Sequence, residues 1–172
     1  MTNFNAVLDI QFTDGTVTEP VTLVEAKSWL KIEVTDEDAL LTAIIKTARQ
    51  LCESYTGIGF IPHGIVAVLN NSCGNIYLPY APVTSGVVLK DIDGAVIGSP
   101  SIRGLQNKWI NQPISDYIKA EYTAGYATLP EHFETALLTA IAFLYEHRGD
   151  EDAGKLSPMA MDLLTPYRSI CF

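Results

Sequence analysis

Residues 35–57, TDEDALLTAIIKTARQLCESYTG, contain the pattern that decides the fold. Apolar residues recur there at three- and four-residue spacing, which predicts an amphipathic α-helix. Thr35 and the acidic residues after it favour a helix start, and Gly57 suits the left-handed residue that often ends a helix. The same periodicity places Lys46 and Arg49 on the other, polar side. The apolar positions are Leu40, Leu41, Ile44, Ile45, Ala48, Leu51, Cys52 and Tyr55.

Two shorter helices are predicted from start signals on either side of this one. Thr22 and Glu25 form a capping-box pattern, in which each side chain binds a backbone N–H at the other position, so a first helix should begin at Thr22. Ser157 followed by Pro158 predicts a last helix that runs to about Leu164. Helices of about ten residues or fewer are marginal in isolation, so both must pack against other elements.

A long helix is predicted to start near Pro130, because proline suits the first helical turn. Thr128 and Glu131 form another box-like pair there. The apolar face that follows is unusually wide, which indicates a central helix contacted on several sides. Gly149 is expected to end it.

The middle of the chain, from residue 60 to residue 126, has the pattern of a small antiparallel sheet. Short apolar runs alternate there with turn residues such as Asp93 and Gly94, which predicts β-hairpins. Residues 1–21 look extended and are predicted to form an arm or a hairpin. The apolar runs are Ile65–Leu69, Ile76–Leu78, Gly86–Leu89, Ala95–Ile97, Lys108–Ile110 and Tyr117–Tyr122.

The predicted fold class is therefore α+β and mainly helical: a small bundle of about four helices with a β-hairpin-rich antiparallel insertion between the second and third long helices. One domain is expected over residues 1–172. Its predicted segments are the arm 1–21, the helices 22–57, the insertion 60–126, the central helix 129–149, and the C-terminal helix and docking tail 153–172.

Composition excludes several classes of function. The net charge is −9 at pH 7 and the basic residues are scattered, which disfavours gripping nucleic acid or binding an anionic membrane. Three cysteines with no close pair predict neither a disulfide framework nor a zinc site. The first lysine is Lys27, so a secretory signal is not expected, and no apolar stretch is long enough for a membrane span. These features predict a soluble protein made in a reducing cytoplasm.

Short patterns that suggest chemistry all lack the partners that chemistry needs. Each is interpreted as a structural element, and neither an enzyme nor a cofactor or metal site is expected. Cys52 is interpreted as a core residue, and Cys73 as a turn residue with no histidine beside it. Trp29 and Trp109 are expected in the core or at an interface. The other patterns are Ser28 with Lys31, Gly57 with Gly59, the turn at Asp91–Gly94, the separated histidines His63, His132 and His147, and the acidic clusters 36–38 and 150–152.

The order and spacing of several segments resemble the head–tail connector (adaptor) proteins of tailed bacteriophages and prophages. The resemblance covers roughly residues 21–168. Its segments are Val21–Lys31, Asp36–Leu41, Cys52–Gly57, Leu78–Val83, Tyr122–Tyr126, Leu129–Glu131, Ala136–Arg148 and Leu163–Arg168.

The resemblance implies a structural virion protein that is made in the host bacterial cytoplasm and is not an enzyme. Such proteins form a ring of about a dozen copies beneath the portal vertex, where a heterologous interface closes on itself. The ring extends the DNA channel and carries the next connector, stopper or tail protein. Double-stranded DNA passes without specific binding, and an acidic lumen would repel its phosphates.

An apolar chain end suggests a docking element for the portal or a neighbouring copy. The candidate interface residues are Trp29, Tyr167, Arg168, Ile170 and Phe172. The alternatives are a tail-completion or stopper protein of the same particle, a soluble regulatory module, and a small enzyme whose site assembles only in three dimensions.

Overall fold

The computed structural model describes residues 7–13, 18–70, 75–98, 100–104, 108–111, 117–149 and 154–168. The chain divides into two compact units. The β unit is drawn from residues 1–17, 57–127 and 169–172, and the helical unit from residues 18–56 and 128–168.

The helical unit is arranged around its third helix. Helix α3 contacts α1, α2 and α4, and it buries a wide apolar face that includes Phe133, Leu137 and Ile141. This packing is what the width of its apolar face predicts. The helices are α1 (Leu23–Leu30), α2 (Asp38–Thr56), α3 (Glu131–Glu146) and α4 (Pro158–Leu164), and a 3-10 turn follows at Thr165–Tyr167.

Helices α1 and α4 begin at the side-chain caps that the sequence predicts. The backbone N–H of Thr22 donates to Glu25 Oε2 at 2.7 Å, and the Glu25 N–H donates to Thr22 Oγ1 at 3.2 Å, which completes the capping box. The hydroxyl of Ser157 accepts from the Ala160 N–H at 3.0 Å and caps α4.

The box-like pair predicted for α3 is wrong. Pro130 is the N-cap of α3 and no side chain caps this helix. Glu131 is the first helical residue, whereas a capping box needs the carboxylate at the third position. The helix also ends at Glu146, before the predicted stop at Gly149.

Two predicted positions on α2 are also wrong. Leu40 is 41% exposed, whereas Arg49, assigned to the polar side, is only 4% exposed. Arg49 is buried because two carboxylates surround it. Its Nε lies 2.7 Å from Glu19 Oε2, and its Nη1 lies 2.6 Å from Glu53 Oε2. Burial disfavours the charge of Arg49, but the bonds to Glu19 and Glu53 outweigh it and raise the pKa of the guanidinium.

The β unit contains a five-stranded sheet in the order β1-β2-β8-β4-β5 and a three-stranded sheet in the order β3-β7-β6. Every strand pair is antiparallel. The strands are β1 (Val7–Phe12), β2 (His63–Asn70), β3 (Asn75–Tyr77), β4 (Val88–Lys90), β5 (Val96–Gly98), β6 (Ile102–Arg103), β7 (Trp109–Asn111) and β8 (Tyr117–Ala124).

These strands confirm a mixed α+β fold but not a mainly helical bundle. Each predicted apolar run overlaps a strand, whereas β6 was not expected. The N-terminal segment adds to the strand content, because β1 pairs with β2 along the edge of the larger sheet. The predicted turn at Asp91–Gly94 joins β4 to β5, and the Ala95 N–H donates to Asp91 Oδ1 at 2.8 Å.

The core of the β unit follows strand periodicity. Alternate residues of β2 and β8, such as Ile65 and Ile118, are buried, as expected for a sheet with one covered face. One position depends on glycine: Gly125 has φ +117°, and a Cβ there would lie 1.8 Å from the Ile61 carbonyl oxygen. No L-residue with a side chain fits at position 125 without moving the backbone.

Candidate functional site

The acidic, cysteine and histidine side chains of the described residues form no metal-binding cluster. No set of three or more His, Cys, Asp or Glu residues among them could hold a metal ion. The Cys52 side chain is buried, and burial together with Glu53 raises the pKa of its thiol to about 12. A thiol of that pKa stays protonated at neutral pH, as expected of a core residue. The predictions for Cys73 and for the acidic cluster 150–152 fall outside the described residues.

The three histidines make separate contacts. His132 stacks on Tyr167 with ring centroids 4.4 Å apart. The Nδ1 of His147 lies 2.9 Å from the Phe143 carbonyl oxygen, near the end of α3. The His63 ring lies 4.9 Å from the Phe12 ring. None of these three contacts joins a histidine to a serine, cysteine or carboxylate.

An open groove of about 450 Å³ lies in the β unit beside β2 and β8. Its Glu121 carboxylate binds Lys90 Nζ at 2.6 Å, and its Ser85 hydroxyl accepts from the Thr123 N–H at 2.6 Å. The Glu121 carboxylate is thus paired with Lys90, and the Ser85 hydroxyl bonds to the backbone at Gly86 and Thr123. Among the described residues, no hydrogen bond joins Ser85 to Glu121.

Among the helices of the described residues, none has both the length and the apolar composition that crossing a membrane requires.

The predicted interface residues that the structure describes lie at the surface of the helical unit. Trp29 is 49% exposed near the end of α1, and Tyr167 is 40% exposed after α4. Arg168 is exposed beside Tyr167. The other two candidates, Ile170 and Phe172, lie outside the described residues.

Aromatic contacts hold Tyr167 and Arg168 in place. The Tyr167 ring meets Phe133 edge-on at 5.1 Å as well as stacking on His132. The Arg168 guanidinium lies 5.3 Å from the centre of the Tyr55 ring, in cation–π range. These contacts anchor the part of the predicted docking tail that the structure describes.

The acidic cluster at residues 36–38 has two anchored members. The Asp38 carboxylate binds Lys27 Nζ at 2.7 Å. Glu37 accepts hydrogen bonds from the Tyr145 hydroxyl and, at 2.9 Å, from Arg148 Nη1. The bond from Tyr145, followed by that from Arg148, lowers the pKa of Glu37. The Asp38 contact joins α1 to the start of α2, and the Glu37 contacts join the residue before α2 to the end of α3.

Residues 20–80 match the family model of the phage gp6-like head-tail connector proteins. The predicted resemblance to head–tail connectors is confirmed. The matched region runs from the segment before α1 through β3, and so includes parts of both units of this connector-like chain. A comparison with curated proteins gave no match.

Solved structures extend the likeness of the connector-like chain beyond the matched region. A chain from the neck of an empty gene transfer agent particle, computed with C6 symmetry, has a TM-score of 0.75 and 22% identity, and the match covers 95% of this chain and 96% of that one. A chain from the virion of the native particle gives 0.75 and 22%, with 94% and 95% covered. A chain from the native neck, computed with C12 symmetry, gives 0.68 and 21%, with 93% and 96% covered. The fold of both units is therefore shared with these chains.

Proposed function

We propose that the chain is a structural head–tail connector of a phage-like particle and not an enzyme. The observation that carries this proposal is the near-complete match, in both directions, to a chain of a particle neck. The connector family match over residues 20–80 supports it from the sequence alone. Neither line of support calls for a cofactor.

The connector acts as a ring beneath the portal protein. The matched neck structures were computed with C6 and C12 symmetry, which is consistent with a ring of about a dozen copies. The ring extends the DNA channel and carries the next connector, stopper or tail protein. A subunit with a net charge of −9 suits a conduit, because an acidic lumen repels DNA phosphates and lets the duplex slide. The protein is made in the bacterial cytoplasm and acts at the head–tail junction of the virion.

Trp29 and the C-terminal segment provide the contacts to the portal or to a neighbouring copy. Trp29 is an exposed aromatic side chain, and such residues often dominate protein interfaces. Tyr167 and Arg168 are anchored on the helical unit and lead directly into the apolar residues Ile170 and Phe172.

Gene disruption in the parent phage, followed by negative-stain electron microscopy of the lysate, tests the connector function. Free tails beside heads that packaged DNA but failed to join or retain it are expected. Complete, infectious particles would contradict the proposal. Supplying the intact gene from a plasmid is the control, and it should restore complete particles.

Complementation with shortened genes tests the docking tail. A gene that lacks residues 166–172 should leave heads and tails unjoined. Removing only residues 169–172 keeps the Tyr167 contacts and separates the role of Ile170 and Phe172 from that of Tyr167. Normal particle assembly with the longer deletion would contradict the docking role while leaving the connector function intact.

A further inference from the structure

A row of three large polar side chains crosses the outer face of the three-stranded sheet. The strand register places Tyr77 of β3 opposite Trp109 of β7, and Trp109 opposite Arg103 of β6. Directly opposed residues in an antiparallel sheet share a face. Tyr77, Trp109 and Arg103 are called the aromatic–arginine row below.

The two faces of this sheet are very different. The next residue of β7, Ile110, is completely buried, and its partner Ile102 packs against the core of the β unit. The aromatic–arginine row faces the other way: Tyr77 is 46% exposed, Trp109 is partly exposed and Arg103 is exposed. One face of the sheet therefore packs on the core of the β unit, and the aromatic–arginine row lies on the opposite, exposed face.

The row contains the residue types that dominate binding energy in protein interfaces. Tyr, Trp and Arg are the most enriched side chains at interface hot spots, because they combine a large apolar area with polar groups that fix orientation. The Arg103 guanidinium lies 5.7 Å from the centre of the Trp109 ring. Such a contact limits the rotamers of the arginine before any partner arrives, which reduces the entropy lost on binding.

Arg103 has no carboxylate partner among the described residues, whereas four other cations there bind one. These four are Arg49, Lys27, Lys90 and Arg148. Lys119 donates instead to the backbone oxygen of Ile92 at 2.6 Å. Arg103 is therefore available to a carboxylate from another molecule.

The loop between α1 and α2 has the complementary chemistry. Val34 is 60% exposed at its centre, and Glu33 and Asp36 are exposed beside it with no cationic partner among the described residues. The loop is pre-organised, because Lys27 Nζ donates to the Val34 carbonyl oxygen at 2.7 Å and also binds Asp38. An apolar tip between these two carboxylates matches an aromatic surface that carries Arg103.

We propose that the aromatic–arginine row of one copy receives the α1–α2 loop of a second copy. Val34 packs on the Tyr77 and Trp109 rings, and Arg103 binds the carboxylate of Glu33 or Asp36. Because the row and the loop are different surfaces of one chain, the contact is heterologous and repeats from copy to copy until a ring closes. This inference rests on the proposed ring and assigns two surfaces to its subunit interface.

Charge reversal and charge exchange test the contact by complementation of the disrupted phage gene. Arg103→Glu alone, or Glu33→Arg with Asp36→Arg, should lower the yield of infectious particles by about tenfold or more, because each repels its partner at every interface of the ring. The three substitutions together restore opposite charges and should recover most of the yield. Lys46→Glu is the matched control for Arg103→Glu, since it makes the same change in net charge at an exposed position on α2.

The outcomes separate this inference from the connector function. Normal yield from Arg103→Glu, or no recovery in the triple variant, would overturn the contact. Either result would leave the connector function intact as long as disruption of the gene still produces unjoined heads and tails. The purified variants should unfold at the same temperature as the unchanged protein, because the substituted side chains are exposed. Trp109→Ser is a second test, because it removes the ring on which Val34 packs. It should lower the yield of infectious particles without a change in charge.

Discussion

The helical unit and the β unit hold distant parts of the chain together in different ways. In the helical unit, charged side chains connect residues that are far apart in the sequence. Arg49 on α2 binds Glu19, thirty positions earlier, and Glu37 binds Tyr145 and Arg148. In the β unit, the backbone ladders join the segments and leave little free space between them, as at Gly125. The helical unit should therefore be most sensitive to the loss of a charge, and the β unit to the addition of an atom.

Separate measurement of the two units is possible because each contains one tryptophan, Trp29 in the helical unit and Trp109 in the β unit. A Trp29→Phe background leaves Trp109 fluorescence to report the β unit. A Trp109→Phe background leaves Trp29 to report the helical unit.

The largest effect is expected from Gly125→Ala. The added Cβ would meet the Ile61 carbonyl oxygen at 1.8 Å, and φ is +117°. We expect a loss of about 4 kcal/mol in the free energy of unfolding, measured by urea denaturation with Trp109 fluorescence.

Gly94→Ala is the matched control for the close contact. Gly94 also has a positive φ, +96°, but an added Cβ would meet nothing within 4 Å. Its cost should be only the conformational strain, about 1 kcal/mol. Equal effects of the two substitutions would contradict the idea that close backbone approach is what makes Gly125 necessary.

The next largest effect is expected from Arg49→Met in the helical unit. The substitution leaves the carboxylates of Glu19 and Glu53 without their buried cation, which should lower the free energy of unfolding by about 3 kcal/mol. Trp29 fluorescence in urea measures it. Lys46→Met, one turn earlier and exposed, should change stability by less than about 0.5 kcal/mol.

A combined variant decides whether charge is the cause. Arg49→Met with Glu19→Gln and Glu53→Gln removes the two carboxylate charges that bound Arg49 and should recover much of the lost stability. If the combined variant is as unstable as Arg49→Met alone, the comparison between the units fails, because apolar packing of Arg49 would then account for the loss.

The smallest effect is expected at the capping box of α1. Thr22→Ala should cost about 1 kcal/mol, because the helix loses a side-chain cap. The hydrogen bond from the Thr22 side chain, followed by that from its backbone, lowers the pKa of Glu25 below its ordinary value of 4.5. The substitution should therefore raise this pKa, which NMR titration of the Glu25 carboxyl measures.

The sign of the pH dependence follows from the lowered pKa. A carboxyl whose pKa is lower in the folded protein stabilises it above the ordinary pKa, and this contribution disappears as the pH falls through the folded value. The difference in stability between Thr22→Ala and the unchanged protein should shrink in acid. A difference that is constant from pH 7 to pH 2 would show that Glu25 takes no part in the cap.

Two helix starts that depend on neighbouring residues were predictable from the sequence, although the start of α3 lacks the expected side-chain cap. A feature that depends on a distant residue, the burial of Arg49, was not predictable. The start of α1 at Thr22 and of α4 at Ser157 follows from side chains three positions from their partners. The burial of Arg49 depends on Glu19, which lies outside α2 and leaves no trace in the periodicity of that helix.

The same distinction applies to the candidate surfaces. Trp29 and Tyr167 were predicted as interface residues from their type and place, and that role remains a prediction. The aromatic–arginine row was missed because it exists only through the register of three short strands, one of which, β6, has only two residues. The one local signal was Trp109 itself, which was expected in the core or at an interface.

The division of the helical unit between residues 18–56 and 128–168 has a consequence for biosynthesis. Helix α2 leaves the ribosome well before α3, whose apolar face it needs, and synthesis at about 5 to 20 residues per second makes that delay several seconds. Residues 57–127 emerge during the delay, so the β unit can begin to fold while the helical unit is still incomplete. The apolar side of α2 is exposed in the meantime, which makes the nascent chain a candidate for chaperone binding until residue 168 has been made.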